Sequence, residues 1–268
     1  MAITTLDQLL AAMLPPVTFA KAATPTLVAG RPHSLFYLAG MPGAAAAPTP
    51  GLSGAALTSY AGQLPDPAAV SGKNIYLARF QAMATIAGTL ILADRLWHNS
   101  GLSLTSTTAQ TINSVAWPAR DANGTSNGEQ VLIGLEVSTA TGAGTPTLTM
   151  SYTNQAGTSG RTGTNMVATA ATSAVGAFYP MGLDAGDTGV RSIQTFTLSA
   201  TWTSGAASLV AYRELARLEL TAANVPNAID AITAGLPRLY YDTVPFLIFI
   251  PSTTTASNIS GQVIYAQG

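Results

Sequence analysis

Two histidines, His33 and His98, are the chain's only imidazoles, and they lie far apart in sequence. Neither has a carboxylate two positions away, where a strand would place it on the same face, so the spacing builds no histidine–carboxylate metal site. A serine hydrolase of the elbow type needs Gly-x-Ser-x-Gly, and the sequence contains none. His98 follows Trp97 at the end of an expected strand. That position suits a polar tip hydrogen-bonded at a junction better than a general base. With no cysteine there is neither a disulfide framework nor a thiolate ligand.

The acidic residues offer slightly more. Asp121-Ala-Asn123-Gly124-Thr-Ser-Asn127-Gly128-Glu129 begins like a calcium loop, but its glycine stands at the fourth position instead of the sixth and Leu132 occupies the bidentate one. Asn and Gly at that density are what a hairpin loop requires. In Asp184-Ala-Gly186-Asp187-Thr-Gly189, the carboxylates of Asp184 and Asp187 could converge on a cation. The competing reading is that they cap backbone N–H groups or pair with an arginine such as Arg191. A paired-carboxylate glycosidase would need an aromatic-lined cleft, and Trp97, Trp117 and Trp202 are too scattered to outline one. Arginine outnumbers lysine 9 to 2. Several arginines adjoin acids, as in Asp94-Arg95, Arg120-Asp121 and Arg213-Glu214. Because strand neighbours point to opposite faces, the true pairs are expected to be non-adjacent. No enzyme chemistry and no cofactor are expected.

The elements that must position these side chains are mostly strands. A short helix is expected first, since Leu6, Leu9, Leu10 and Met13 fall at i, i+3, i+4 and i+7, Thr5 with Gln8 makes a capping box, and Pro15-Pro16 stops it. From Met41 to Ser71 the chain is rich in Ala, Gly, Pro and Ser, which reads as a long arm draped over a neighbour. Two strands are expected within 74–97. A boundary near residue 101 separates an assembly region, 1–100, from a β-domain, 101–268. In that domain, strands are expected at 110–117, 130–138, 146–153, 162–169, 190–200, 206–214, 244–250 and 259–266, with turn signals such as Asn127-Gly128 and Ser204-Gly205 between them. A short helix ended by Gly235 is expected within 222–235. The fold class is mainly β: an antiparallel β-sandwich, jelly-roll-like, carrying an N-terminal helix and an extended arm. The first 40 residues are expected to be removable without unfolding the sandwich.

Composition bounds the partners. The chain has 268 residues, 11 basic and 12 acidic, giving a net charge of -1 and only 9 % charged residues against 47 % hydrophobic. Ordinary soluble domains carry about 25 % charged residues, so like-charge repulsion does little here to oppose association. No basic stripe exists to neutralise phosphates, which argues against nucleic acid. Apolar runs such as Val244 to Ile250 fall far short of the roughly 20 residues of a membrane span, and the N-terminus lacks a basic leader region. Neither a membrane nor a leader is expected.

Particular stretches carry a resemblance. Leu92-Ala-Asp94-Arg95-Leu96-Trp97-His98-Asn99-Ser100-Gly101, Gly186-Asp187-Thr-Gly189-Val-Arg191-Ser-Ile193-Gln194 and Leu236-Pro237-Arg238-Leu239-Tyr240 look like phrases found in such chains: the protein resembles the virion structural proteins of tailed bacteriophages. These are not catalytic motifs, and no site residue is carried over with them. The resemblance implies a non-enzymatic virion component made in the bacterial host cytoplasm. No expected helix is long enough for a capsid spine helix, which points to a capsid decoration or cement protein. Such a subunit would be a homo-oligomer, a trimer, holding the major capsid protein or other virion subunits through Leu6, Leu9, Leu10 and Met13. The alternatives are a tail, neck or collar subunit and a carbohydrate-binding receptor-recognition module, the latter marked by aromatics on one exposed sheet face.

Overall fold

Strands apolar on alternate residues bury one face, and strands apolar throughout must be covered on both. Both kinds occur in the computed structural model, which describes residues 3–268 and places 40 % of residues in strands and 4 % in helices. Helix α1 (Leu6–Ala12) leads to β1 (Val17–Lys21), β2 (His33–Ser34), β3 (Gly40–Met41) and β4 (Ala55–Ala56). Then come β5 (Ile75–Ala84), β6 (Gly88–His98), β7 (Gln110–Thr111), β8 (Leu132–Thr139), β9 (Leu148–Asn154) and β10 (Arg161–Thr164). After β11 (Phe178–Pro180), β12 (Val190–Leu198) and β13 (Ala206–Leu220) follow β14 (Asn227–Asp230), α2 (Ala231–Ala234), β15 (Arg238–Leu239), β16 (Pro245–Pro251) and β17 (Ile259–Gln267).

Three antiparallel sheets result. A seven-stranded sheet runs β11-β8-β13-β6-β16-β2, with β4 also on β6. A four-stranded sheet runs β10-β9-β12-β7, and a six-stranded sheet runs β14-β5-β17-β1-β3, with β15 also on β5. Parity explains how one sheet serves both others. In β13, Leu209 and Ala211 meet the four-stranded sheet, where Met150, Tyr152 and Phe196 complete a core, while Val210 and Tyr212 face the opposite way. Register shifts after Ala211 and after Glu214 act as β-bulges. Beyond them the even-numbered Leu218 and Leu220 take the first face, packing with Leu77, Phe80 and Val263 of the six-stranded sheet. Two sandwiches thus share one sheet, and that sheet joins strands from both sides of residue 101.

The expected strands 130–138, 146–153, 190–200, 244–250 and 259–266 occur with ends moved by a few residues, and β13 continues beyond its expected end. Two shrink for local reasons. At 110–117 only Gln110–Thr111 pairs as a strand, because Asn113 turns to φ 42°. At 162–169 the strand ends at Thr164, where the Asn165 side chain accepts from the Leu148 N–H and donates to the Val167 carbonyl. The helix expected within 222–235 is a single turn. Asn227–Asp230 instead pairs with β5, Asp230 caps the turn that follows, and Gly235 closes it in the left-handed region at φ 60°.

Helix α1 has the expected capping box: the Gln8 N–H donates to Thr5 Oγ1 at 3.2 Å, and Gln8 Oε1 accepts from the Thr5 N–H. The Ala/Gly/Pro-rich stretch is extended, but it lies on this chain's own seven-stranded sheet instead of a neighbour. Leu57 donates to Leu96, Leu64 to Pro245 and Ala45 to Phe36, all through backbone N–H groups. Ala45 and Tyr60 cover the aromatic face made by Phe36 and Phe246. Residues before it are equally built in: Phe19, Leu35 and Phe36 are at most 2 % exposed. Among the described residues Lys21 has no carboxylate partner, and its Nζ donates to the carbonyls of Leu38 and Pro42 at 3.3 and 2.8 Å. Burial lowers its pKa to about 8.

The sandwich is therefore not separable at residue 40. Removing residues 1–40 strips four large core side chains, Phe19, Leu27, Leu35 and Phe36. At about 1.5–3 kcal/mol each, that loss matches the roughly 5–15 kcal/mol stability of a whole domain. Circular dichroism and thermal melting should find that truncation unfolded, whereas removal of residues 1–13 leaves a cooperative β melt.

Candidate functional site

In a chain with few ions, each buried charge has to find a partner or pay in desolvation. As expected, none of the ion pairs among the described residues joins sequence neighbours. Arg95 Nη2 meets Glu136 Oε2 at 2.7 Å with both side chains wholly buried. The Arg95 guanidinium lies 4.5 Å over the Phe36 ring and 5.5 Å from that of Phe246. Its Nε donates to His98 Nδ1 at 3.2 Å, and the Tyr37 hydroxyl donates to Glu136 at 3.0 Å. Burial, then the charge of Arg95, depresses the His98 pKa to about 3. Burial likewise takes His33 to about 4, against a small opposing pull from Glu136. Both imidazoles are neutral at pH 7, far from the value suited to a general base.

On the opposite face of β6, Arg120 grips Asp94 through Nε at 2.9 Å and Nη2 at 3.1 Å. Arg120 also donates to the Leu57 carbonyl, and Asp94 accepts from the Val244 N–H. Three loops are thereby tied to one strand. Asp66, in the strap that crosses here, has no cation in contact: burial and then the charge of Asp94 push its carboxyl up to about 7.

The two acidic turns are filled by the protein itself. Asp187 accepts from the Tyr152 hydroxyl at 2.6 Å, Asn154 Nδ2 at 2.7 Å and Arg161 Nε at 2.9 Å. Burial raises its pKa, but these hydrogen bonds outweigh that and hold it below the usual carboxylate range. Asp184 reaches Arg161 at 3.3 Å. The arginine that pairs with the turn is thus Arg161, not Arg191, and Asp184 and Asp187 converge on a guanidinium. Among the described residues, no three His, Asp or Glu side chains group as metal ligands. Asp121 accepts from Thr125 and from the backbone N–H groups of Asn123, Gly128 and Glu129, pinning its loop as an Asx turn does.

Several large apolar side chains remain open to solvent. On α1, Leu6 is 57 % exposed, Leu10 58 % and Met13 38 %, and Leu9 is half-buried. A groove of about 680 Å³ runs along the outer face of the seven-stranded sheet over Ile91, Leu132, Phe178, Tyr212 and Ile248. Its charged residues, Asp187, Glu214 and Arg217, are already in ion pairs. The rest of the lining is mostly apolar. The groove could have been read from Phe246-Leu-Ile-Phe-Ile250, where apolar residues occupy both faces of one strand and so demand cover on both.

No protein-family model matches the chain, and neither does any curated protein. Among solved structures, the infectious bursal disease virus VP2 subviral particle overlaps 76 % of this chain and 46 % of its own, at 11 % identity and a TM-score of 0.23. A mutant VP2 protein of the same virus in T=1 particles overlaps 76 % and 42 % at 10 % identity and a TM-score of 0.20. This chain thus spans less than half of those chains. Overlap at such TM-scores establishes neither fold nor function.

The strap carboxylate sets a pH dependence. Unfolded, Asp66 ionises near 3.8; folded, it holds its proton to about 7. Between those values the unfolded state binds fewer protons, so this group's contribution to stability falls as pH rises and levels off above 7. Asp66→Asn removes the penalty. The thermal midpoint of the variant should exceed wild type by several degrees at pH 8 and match it at pH 3.5.

Proposed function

We propose that this protein is a non-enzymatic structural subunit of a virion, a capsid decoration or cement protein that oligomerises as a trimer and holds the major capsid protein through α1. The observation carrying the reading is the α1 stripe. Leu6 and Leu10 stand more than half exposed on a helix whose first turn is closed by a capping box, on a body with few charges. A helix of 7 residues is too short to be stable alone. It gains stability when Leu6, Leu9, Leu10 and Met13 are covered by another subunit. The resemblance to tailed-phage structural proteins supplies the virion context, and with it manufacture in the host cytoplasm.

A carbohydrate-binding module has less behind it, since Trp97, Trp117 and Trp202 are at most 3 % exposed and none can serve as a sugar platform. A tail, neck or collar subunit would use the same stripe in a ring, and particle reconstruction separates it from a head protein by location.

Light scattering coupled to size exclusion tests the docking directly. Wild type should run as a trimer and Leu10→Asp as a monomer with an unchanged melting temperature. A variant that keeps the wild-type mass and still loads onto particles at full occupancy would remove α1 as the contact.

A further inference from the structure

Where residues 26–33 meet the loops at 140–141 and 172–177, the chain forms a solvent-open cavity of about 400 Å³, within the roughly 300–1,000 Å³ range of small-ligand sites. Two polar atoms in its wall are buried and lack any hydrogen bond: Arg31 Nε and His33 Nε2. His33 is 4 % exposed as a residue. Gly176, at φ 90°, lets the imidazole sit there, because a Cβ at that position would come within 2.6 Å of Nε2.

The cation in this wall is uncompensated. Arg31 lies 5.4 Å over the Tyr179 ring and donates to the Ala168 carbonyl at 2.9 Å. Among the described residues it forms no ion pair, unlike Arg95, Arg120, Arg161 and Arg217. No Asp or Glu lines the cavity, whereas Thr141, Thr172 and Ser173 bring hydroxyls to it. A guanidinium N–H and an imidazole nitrogen are left without partners beside hydroxyls, and the lining holds no carboxylate to meet them. A carboxylate oxygen would accept from the guanidinium and from the imidazole in its Nε2–H tautomer.

We propose that this cavity binds a small organic ligand through its carboxylate, with Arg31 as the cation and His33 as a second donor through Nε2–H. The site is independent of the α1 reading and stands whether or not the protein belongs to a virion. Two sources share this chemistry, an acidic sugar and an aliphatic acid, and the cavity's partly apolar lining admits either.

Titration of the full-length, isotopically labelled chain with sodium glucuronate, sodium hexanoate and neutral glucose tests it by NMR. One or both acids should give saturable shifts, with millimolar affinity, at the amides of Arg31, His33 and 172–174, while glucose gives none. A response to glucuronate alone identifies the acidic sugar, and one to hexanoate alone the aliphatic acid. Arg31→Gln should weaken binding at least tenfold, and Ala174→Leu, which fills the cavity and keeps the guanidinium, should abolish it. The Ala174→Leu result decides if Arg31→Gln fails to fold. Absence of saturable shifts with both acids, or an affinity unchanged by filling the cavity, overturns the site.

Discussion

Antiparallel pairing of β6 with β13 governs the molecule. The two strands are buried along almost their full length, so water must be kept from both faces of the sheet they centre. A single flat partner sheet could not do this, because strands of this length twist. The bulges near Ala211 and Leu215 resolve the problem by turning a different set of side chains toward the same side. That side is then divided between a four-stranded and a six-stranded sheet. The other side has no sheet to cover it and takes Phe36, Ala45 and Tyr60 from the irregular segment before β5. Loops usually stay at the surface because they carry unpaired backbone groups. This one lies close to the sheet because its N–H groups find carbonyls on Leu96 and Pro245.

Buried charge follows from the same constraint. Arg95 and Asp94 are neighbours in β6, so they point to opposite faces and cannot serve each other. Each faces a desolvated layer and recruits its partner from elsewhere, Glu136 from β8 and Arg120 from the loop before it. Removing one member of such a pair leaves an unpaired buried charge, which typically costs about 3–5 kcal/mol. The histidines belong to this layer and are kept neutral by it. His98 accepts a hydrogen bond from Arg95 Nε, in keeping with the polar tip at a junction that its position beside Trp97 suggested, whereas the Nε2 of His33 has no partner.

Alternation and turn chemistry made the sandwich legible. The period-2 pattern of 190–198, the Gly/Asn punctuation and the Thr5–Gln8 box all reappear as elements with nearly the expected ends. What stayed hidden depends on distant partners. Residues 41–71 have few large side chains and look like an arm for that reason, yet Leu57 and Leu64 suffice because the surface beneath them is already apolar. Similarly, 227–230 reads as helix in isolation and becomes a strand because the edge of β5 offers it backbone partners. At the acidic turn the carboxylates were visible and their partner was not: Arg161 is more than twenty residues before Asp184, on a strand that only the folded hairpin brings near.

Of 23 charged residues, 11 basic and 12 acidic, seven are buried: Lys21, Asp94, Arg95, Arg120, Asp121, Glu136 and Arg213. The outer surface is therefore poorer in ions than the composition implies. Repulsion between copies falls with the charge each displays, and exposed Leu6, Leu10, Met41 and Met83 add apolar area where charge would ordinarily stand. Inside the body, backbone hydrogen bonds join the sheets and two ion pairs, Arg95 with Glu136 and Arg120 with Asp94, hold the buried charge of β6. Rigidity reduces the ordering cost of forming a contact. The scaffold beneath α1 needs no such ordering, and the exposed Leu6 and Leu10 leave apolar area that the chain's own body does not cover.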